Sequence, residues 1–357
     1  MAKWIEYTDD ERRALITRVS SAKNIDQAAA EKDWWVTAVL YALFHTSPAS
    51  YMLFKGGTSL SKGWDIISRF SEDVDIALDR RYFLEIRNLP CASCASNTQI
   101  HHLREQCQDY LFGEFRDELS AVFASMGLPD IHVLTENEYI SQGSAEPLSV
   151  AHDKDPSVLY VSYPALFASS HTYARPMVKI EISCLSMSEP FEPRPISSLV
   201  QQVCSPLFGD AVDSDFCQTI HTVSPSRTLL EKCFLLCEEY QKSTPRTSRM
   251  SRHLYDIEKL SHTDYLPRVL SDAGLYMDII RHRKRFYHPG YVDYSLELPQ
   301  NITFLPPQQL LDAFRSDYAD MCSSFIYESH PLSFDDLLSG IADIQSLFRQ
   351  IPTNETL

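Results

Sequence analysis

Tyr51-Met-Leu-Phe-Lys-Gly-Gly-Thr-Ser-Leu-Ser-Lys62, followed by Arg69-Phe-Ser-Glu-Asp-Val-Asp-Ile-Ala-Leu78, is the stretch on which the reading of this chain turns. It spells strand, glycine turn, short helix, strand. Tyr51 to Phe54 is an apolar run of strand length that Gly56 and Gly57 end. Two successive glycines permit positive φ and let backbone come close to a ligand. Thr58 or Ser59 is the expected cap of the helix that follows, and a helix start after such a turn presents free N–H groups to a phosphate. In the second run Asp73-Val-Asp75 alternates with period two. As a strand it puts both carboxylates on one face and Val74 on the other.

Two neighbouring carboxylates repel each other and lose hydration, and a bridging divalent cation relieves both costs. A phosphate cradle beside paired Asp residues is what metal-assisted phosphoryl or nucleotidyl transfer needs. The bland alternative is a glycine turn before a strand whose Asp residues face solvent. Either half alone is a weak signal. Their occurrence together, with Thr58, Ser59 and Lys62 between them, favours a site.

The Gly56–Lys62 run combined with Arg69-Phe-Ser-Glu-Asp-Val-Asp75 resembles the core signature of the AbiEii/AbiGii family. These are nucleotidyltransferase-like toxins of bacterial abortive-infection and toxin–antitoxin systems, within the DNA polymerase β-like nucleotidyltransferase superfamily. Fifteen residues separate Gly57 from Asp73, slightly more than is usual in the superfamily, which leaves room for a longer intervening helix. The resemblance implies that Asp73 and Asp75 hold Mg²⁺ as catalytic metal ligands. It implies that Gly56, Gly57, Thr58 and Ser59 cradle the triphosphate of an NTP, with Lys62 and Ser71 lining the nucleotide pocket. Met177-Val-Lys-Ile-Glu-Ile-Ser183 alternates like a strand, and Glu181 stands where the superfamily draws a third carboxylate. Its other reading is a strand residue salt-bridged to Lys179.

A second block, Thr228-Leu-Leu-Glu-Lys232 with Arg252-His-Leu-Tyr-Asp-Ile257, resembles the family's later helical motifs. There a Lys and an Asp on neighbouring helices face the nucleotide, so Lys232 and Asp256 carry over as catalytic candidates. From the residues alone an ordinary interhelical salt bridge fits as well. Where the family commonly has Lys before the Asp-bearing turn, this chain has His253 preceded by Arg252.

The rest of the chain sets bounds. At 357 residues it is long enough for two domains. The expected fold is α+β: a nucleotidyltransferase-like mixed β-sheet with flanking helices over residues 1–195, then a mainly helical domain over 196–357 that completes the nucleotide and acceptor cleft. The Pro-rich run Glu189-Pro-Phe-Glu-Pro-Arg-Pro195 reads as an extended linker. Asn24 and Ser226 read as helix caps. No apolar run reaches membrane-span length and the N-terminus has no signal-peptide pattern, so the cytoplasm is expected and a membrane partner is not. Of nine cysteines, Cys91 and Cys94 form the lone C-x-x-C, and reduced thiols are expected ahead of a zinc site.

A formal net charge of −16 argues against a broad nucleic-acid surface but allows a local one. The basic run Arg281–His288, with Arg246, Arg249 and Arg252, suggests a positive wall for RNA, with Phe286 and Tyr287 as base stackers. A solvated basic face around a buried aromatic pair is the equal alternative. The resulting expectation is a Mg²⁺-dependent nucleotidyltransferase toxin that moves NMP from an NTP to an acceptor hydroxyl. The resemblance makes tRNA the leading acceptor and a cognate antitoxin the expected partner. The rivals are an enzyme of the same fold that puts AMP or phosphate on a protein side chain, and a non-catalytic NTP-binding sensor.

Overall fold

The alternation that begins at Asp73 lies at the centre of a mixed β-sheet. The computed structural model describes residues 4–144, 146–167, 175–208, 216–287 and 289–352. The chain divides into two compact units, Met1–Gly63 with Phe70–Thr222 and Trp64–Arg69 with Val223–Leu357.

In the first unit the strands are β1 (Met52–Lys55), β2 (Val74–Leu78), β3 (His132–Thr135), β4 (Ser157–Ser162), β5 (Met177–Ser183), β6 (Phe191–Ile196) and β7 (Gln218–Val223). Among the described residues they form one seven-stranded sheet in the order β3-β4-β5-β2-β1-β7-β6. β2 runs antiparallel to β1 and parallel to β5, and β4 is antiparallel to both β3 and β5. Period two gives the sheet unlike faces. On β5, Val178, Ile180 and Ile182 are fully buried, while Met177, Lys179 and Glu181 between them are half-buried. Register carries the same division across the sheet: Ile180 pairs with Val74 and Glu181 with Asp75. One face is hydrocarbon and the other carries the charge.

Helices α1 (Asp9–Lys23), α2 (Gln27–Leu43), α3 (Gly56–Lys62), α4 (Asn97–Tyr110), α5 (Arg116–Ser125), α6 (Glu136–Ser141) and α7 (Leu199–Phe208) belong to the same unit. α2 is buried on nearly every side, as its Trp34-Trp35-Val36 run and its Ala-rich start require, and it packs against β5. Trp35 stacks on Tyr163 with ring centroids 4.8 Å apart. Asn24 does not cap α2. It closes α1 in the left-handed conformation at φ 54°, and Asp26 is the cap of α2.

The Pro-rich run read as a linker is largely the edge strand β6. Proline lacks the N–H that a central strand must donate, so an edge is where a sheet tolerates it. Pro193 and Pro195 therefore mark a strand that periodicity could not reveal.

The second unit holds α8 (Pro225–Glu239), α9 (Ser251–Ser261), α10 (Tyr265–Ser271), α11 (Ala273–Phe286), α12 (Leu311–Ser324) and α13 (Phe334–Phe348). The cap of α8 is Ser224 rather than Ser226, because Pro225 occupies the first helical position. The short run Trp64–Arg69 is tied into this unit by Tyr327 N donating to Ser68 O at 2.9 Å and by an isolated bridge from Arg69 to Ile326. Among the described residues no helix is long and apolar enough to cross a membrane.

Candidate active site

The site builds from the β1–α3 turn. Gly56 adopts φ +77°, a conformation that L side chains rarely take. A Cβ at this position would stand 1.9 Å from Asp75 Oδ2. The Asp75 carboxylate therefore rests on bare backbone, and no other residue fits at position 56 without moving it. Gly57 forms the first turn of α3 with it. Lys55 precedes the helix and gives it no side-chain cap.

Thr58 and Ser59 lie inside that first turn rather than before it, which corrects their expected capping role. Both are buried. Ser59 Oγ donates to Gly56 O at 2.8 Å. Thr58 Oγ1 reaches Ser71 Oγ at 2.8 Å and donates to the carbonyl of Asp73. Their hydroxyls hold protein, so any contact they make with a triphosphate comes from their backbone amides. Thr58 and Ser71 together pin the approach to β2 and so set where Asp73 sits.

Lys62 is held elsewhere. Its ammonium pairs with Asp33 of α2 at 2.5 Å and is 6% exposed, and the other Asp33 oxygen accepts from Leu199 N. Lys32 and Glu72 form a comparable buried pair at 2.6 Å. Both pairs fasten α2 to the strand–helix–strand core, and neither lysine is presented to ligand as the motif had suggested for Lys62.

On the charged face, Asp75 pairs in register with Lys55 on β1 and Glu181 on β5. Asp73 stands one residue before β2. Glu181 makes a close salt bridge to Lys179, the next residue on the same face of β5, with side chains 27% and 33% exposed. Burial pulls the Lys179 ammonium down, but Glu181, and Asp73 beyond it, outweigh that and raise it. Glu181 and Asp73 thus both act on the Lys179 ammonium. Mg²⁺ is usually held by one or two carboxylates together with substrate phosphates and water. Among the described residues no three His, Cys, Asp or Glu converge as a closed metal cage. A two-carboxylate floor of hard oxygen donors, set against a glycine where carboxylate and backbone meet without a Cβ, fits the Mg²⁺ mode.

The second unit contains a different arrangement. Asp256 on α9 is fully buried. It takes two hydrogen bonds from Arg69, at 2.7 Å each, and one from Lys232 of α8 at 2.7 Å. Burial pushes its carboxyl up, but Arg69 and Lys232 overcome this and hold it far below the usual carboxylate range. Burial lowers the Lys232 ammonium, Asp256 opposes that, and Arg69 adds to it. His253 lies beside them, 9% exposed, with Nδ1 lacking a hydrogen-bond partner. Burial and the neighbouring cations push its pKa well down and keep it neutral. The structure joins Lys232 to Asp256 in a buried interhelical salt bridge, the plainer of the two readings of the second motif. It adds Arg69, which stands inside the first motif and was not singled out.

Three cations of the basic set are met by carboxylates of their own unit. Arg283 is buried against Glu238, Arg281 pairs with Asp278 at 3.2 Å, and Arg246 pairs with Glu239 at 3.1 Å. His282 packs on Phe286. Local carboxylates answer these cations, as an acidic chain allows. His288 lies outside the described residues.

Comparison with known proteins bears on this geometry. A family model described as nucleotidyl transferase AbiEii toxin, type IV TA system, matches residues 38–340. No curated protein matches the chain. Among solved structures, the chain is similar to MenT4, a nucleotidyltransferase toxin from Mycobacterium tuberculosis, at 15% identity and a TM-score of 0.48, covering 96% of this chain and 91% of that one. It is also similar to JHP933 from Helicobacter pylori, at 14% identity and a TM-score of 0.40, covering 91% and 94%.

Proposed function

We propose a reaction for a chain that belongs to the AbiEii nucleotidyltransferase toxin family of type IV toxin–antitoxin systems: transfer of a nucleoside monophosphate from an NTP to an acceptor hydroxyl at the charged face of the sheet. The observation that carries this reading is the Asp75 carboxylate seated against Gly56 at a distance that excludes any side chain. It joins the glycine turn and the paired Asp residues into one place. In the reaction the acceptor hydroxyl gives up its proton to solvent as its oxygen bonds to the α-phosphorus, the α–β phosphoanhydride breaks, and pyrophosphate leaves. Bound Mg²⁺ supplies charge neutralisation for the attacking and leaving oxygens.

The chain's own residues do the rest. Asp73 and Asp75 are the metal-holding carboxylates. Thr58, itself bonded to Ser71, fixes Asp73 through the bond to its carbonyl, and Glu181 is held by Lys179. The amides of Gly56, Gly57, Thr58 and Ser59 meet phosphate oxygens, because the first turn of α3 lacks a side-chain cap. Lys232 and Asp256 keep their catalytic assignment on the family resemblance. The lowered Lys232 ammonium suits a group that handles a proton or a phosphate. The acceptor we assign is tRNA, again on the resemblance, and the family implies a cognate antitoxin.

The test is to incubate the protein with Mg²⁺, each of the four α-³²P-labelled NTPs and total bacterial tRNA, beside an Asp73→Ala, Asp75→Ala double variant. Label on tRNA with wild type alone supports the proposal and names the base. Label on protein redirects it to a protein acceptor. Label nowhere, with NTP still bound, overturns the transferase reading in favour of a sensor.

A further inference from the structure

The charged face continues past Lys179 onto β4. Tyr160 pairs in register with Lys179, and on an antiparallel pair directly opposed residues share a face. Val74 pairs with Ile180, which sets Asp73 level with Lys179 one residue earlier. Asp73, Lys179 and Tyr160 therefore form one row across β2, β5 and β4. Two strand spacings separate its ends, roughly 10 Å. That is comparable to the reach from the α-phosphate of a nucleotide to its base.

The Tyr160 ring is half-buried and is backed by Tyr139 of α6, with ring centroids 3.9 Å apart and planes at 23°. Tyr139 is fixed in turn, because Arg175 Nη1 donates to its hydroxyl at 2.7 Å. The row thus reads carboxylate, ammonium, rigid aromatic plane. Stacking on such a plane is tolerant of base identity, because every base has a π-face.

We propose that Tyr160, backed by Tyr139, is a nucleobase platform for the transfer site, with Lys179 placed between the platform and the metal-holding carboxylates to meet phosphate. This rests on the reading of the charged face as a nucleotidyl-transfer site. The base belongs either to the NTP or to the 3′ end of the acceptor RNA. Both present the same chemistry, and the experiment separates them.

Binding to three probes is measured with Mg²⁺ present: the four NTPs as α,β-methylene analogues, which do not turn over; inorganic tripolyphosphate, which has no base; and tRNA. The variants are Tyr160→Leu, Tyr139→Leu and Tyr160→Phe. Both Leu variants are expected to weaken the NTP analogues roughly 5- to 150-fold and leave tripolyphosphate unchanged, with Phe at 160 restoring binding. Loss confined to tRNA supports the platform and assigns the base to the acceptor. Equal losses for NTP and tripolyphosphate, or no loss for any probe, overturn it, since a scaffold residue cannot distinguish a base from its absence.

Wild-type protein photocrosslinked with 4-thio-UTP and 8-azido-ATP gives a check that no folding defect can blur. Adducts on the peptides of β4 or α6 are expected, and their absence from both counts against the platform. Failure of the underlying reading shows separately, as tripolyphosphate binding that the Asp73→Ala, Asp75→Ala variant leaves intact.

Discussion

Two regions of this protein set carboxylates against cations, and they do so in opposite ways. In the second unit Asp256 is fully buried and saturated, with three hydrogen bonds from Arg69 and Lys232. On the charged face of the sheet, Asp73, Asp75 and Glu181 lie with Lys55 and Lys179, and Lys179 and Glu181 keep about a third of their surface. A saturated buried pair gains little from any added ion, and breaking it strands a charge. A half-open set of like charges is relieved by a divalent cation. The contrast separates a closed, fully buried charge cluster from a half-exposed one, although the residue types are the same.

The largest expected effect attacks the open side of this contrast. Asp75→Asn should lower transfer roughly a thousandfold, the several kcal/mol a metal centre supplies. The melting temperature should hold or rise, since one of three like charges has gone. Steady-state rates beside a thermal melt check both halves. A fall in stability with activity retained would put Asp75 in the same class as Asp256.

Asp256→Asn should behave in the reverse order on stability. Removing the charge leaves Arg69 and Lys232 buried without a counterion, at a cost of about 3–5 kcal/mol. Urea denaturation reads this directly. A change below about 1 kcal/mol would mean that the two cations find water or one another's partners, and that the knot is not structural.

Gly56→Ala sharpens the comparison from the backbone side. Left-handed strain costs about 1–2 kcal/mol, and the new methyl must also displace the Asp75 carboxylate. Activity should therefore fall by far more than stability does, with Mn²⁺ affinity falling alongside it. Equal and modest losses would show that the carboxylate moves aside freely.

The last expected effect, read only as pH dependence, concerns another carboxylate, which lies near a cation without being satisfied by it. Glu297 is fully buried beside Arg283, 4.0 Å away. Burial pushes its carboxyl up to about 9 against the pull of Arg283, and Glu238 adds to the push. A folded pKa above the unfolded one favours folding at low pH. That advantage fades as pH rises from the ordinary Glu range through about 9. Glu297→Gln should therefore flatten the fall in stability from the ordinary Glu range up through about pH 9 and change little below that range, which denaturation at several pH values would show.

How far the chain could be read in advance varies with the kind of information each residue carries. The Gly56–Lys62 and Asp73–Leu78 runs announced their strand–turn–helix–strand order, because glycine, alternation and apolar runs are local signals. Thr58 and Ser59 were misplaced by a turn: helix boundaries depend on where hydrogen bonding begins, and here it begins at Gly56. The strand β6 was hidden by Pro193 and Pro195, whose tolerance depends on a sheet edge that no local pattern reveals. Lys62 and Arg69 were assigned or overlooked because their partners, Asp33 and Asp256, are remote in sequence.

The amino-acid order by itself determined that Asp73 and Asp75 share a face, that a positive-φ turn precedes them, and that the chain belongs among nucleotidyltransferase toxins. Those conclusions rest on backbone periodicity and on residue types with few conformational options. Tertiary structure alone decided which charges pair with which. Lys62 goes to Asp33, Arg283 to Glu238, and Arg69 and Lys232 to Asp256. Pairing over such distances depends on burial and on which elements pack together, and charge interactions change several-fold with the dielectric that packing creates.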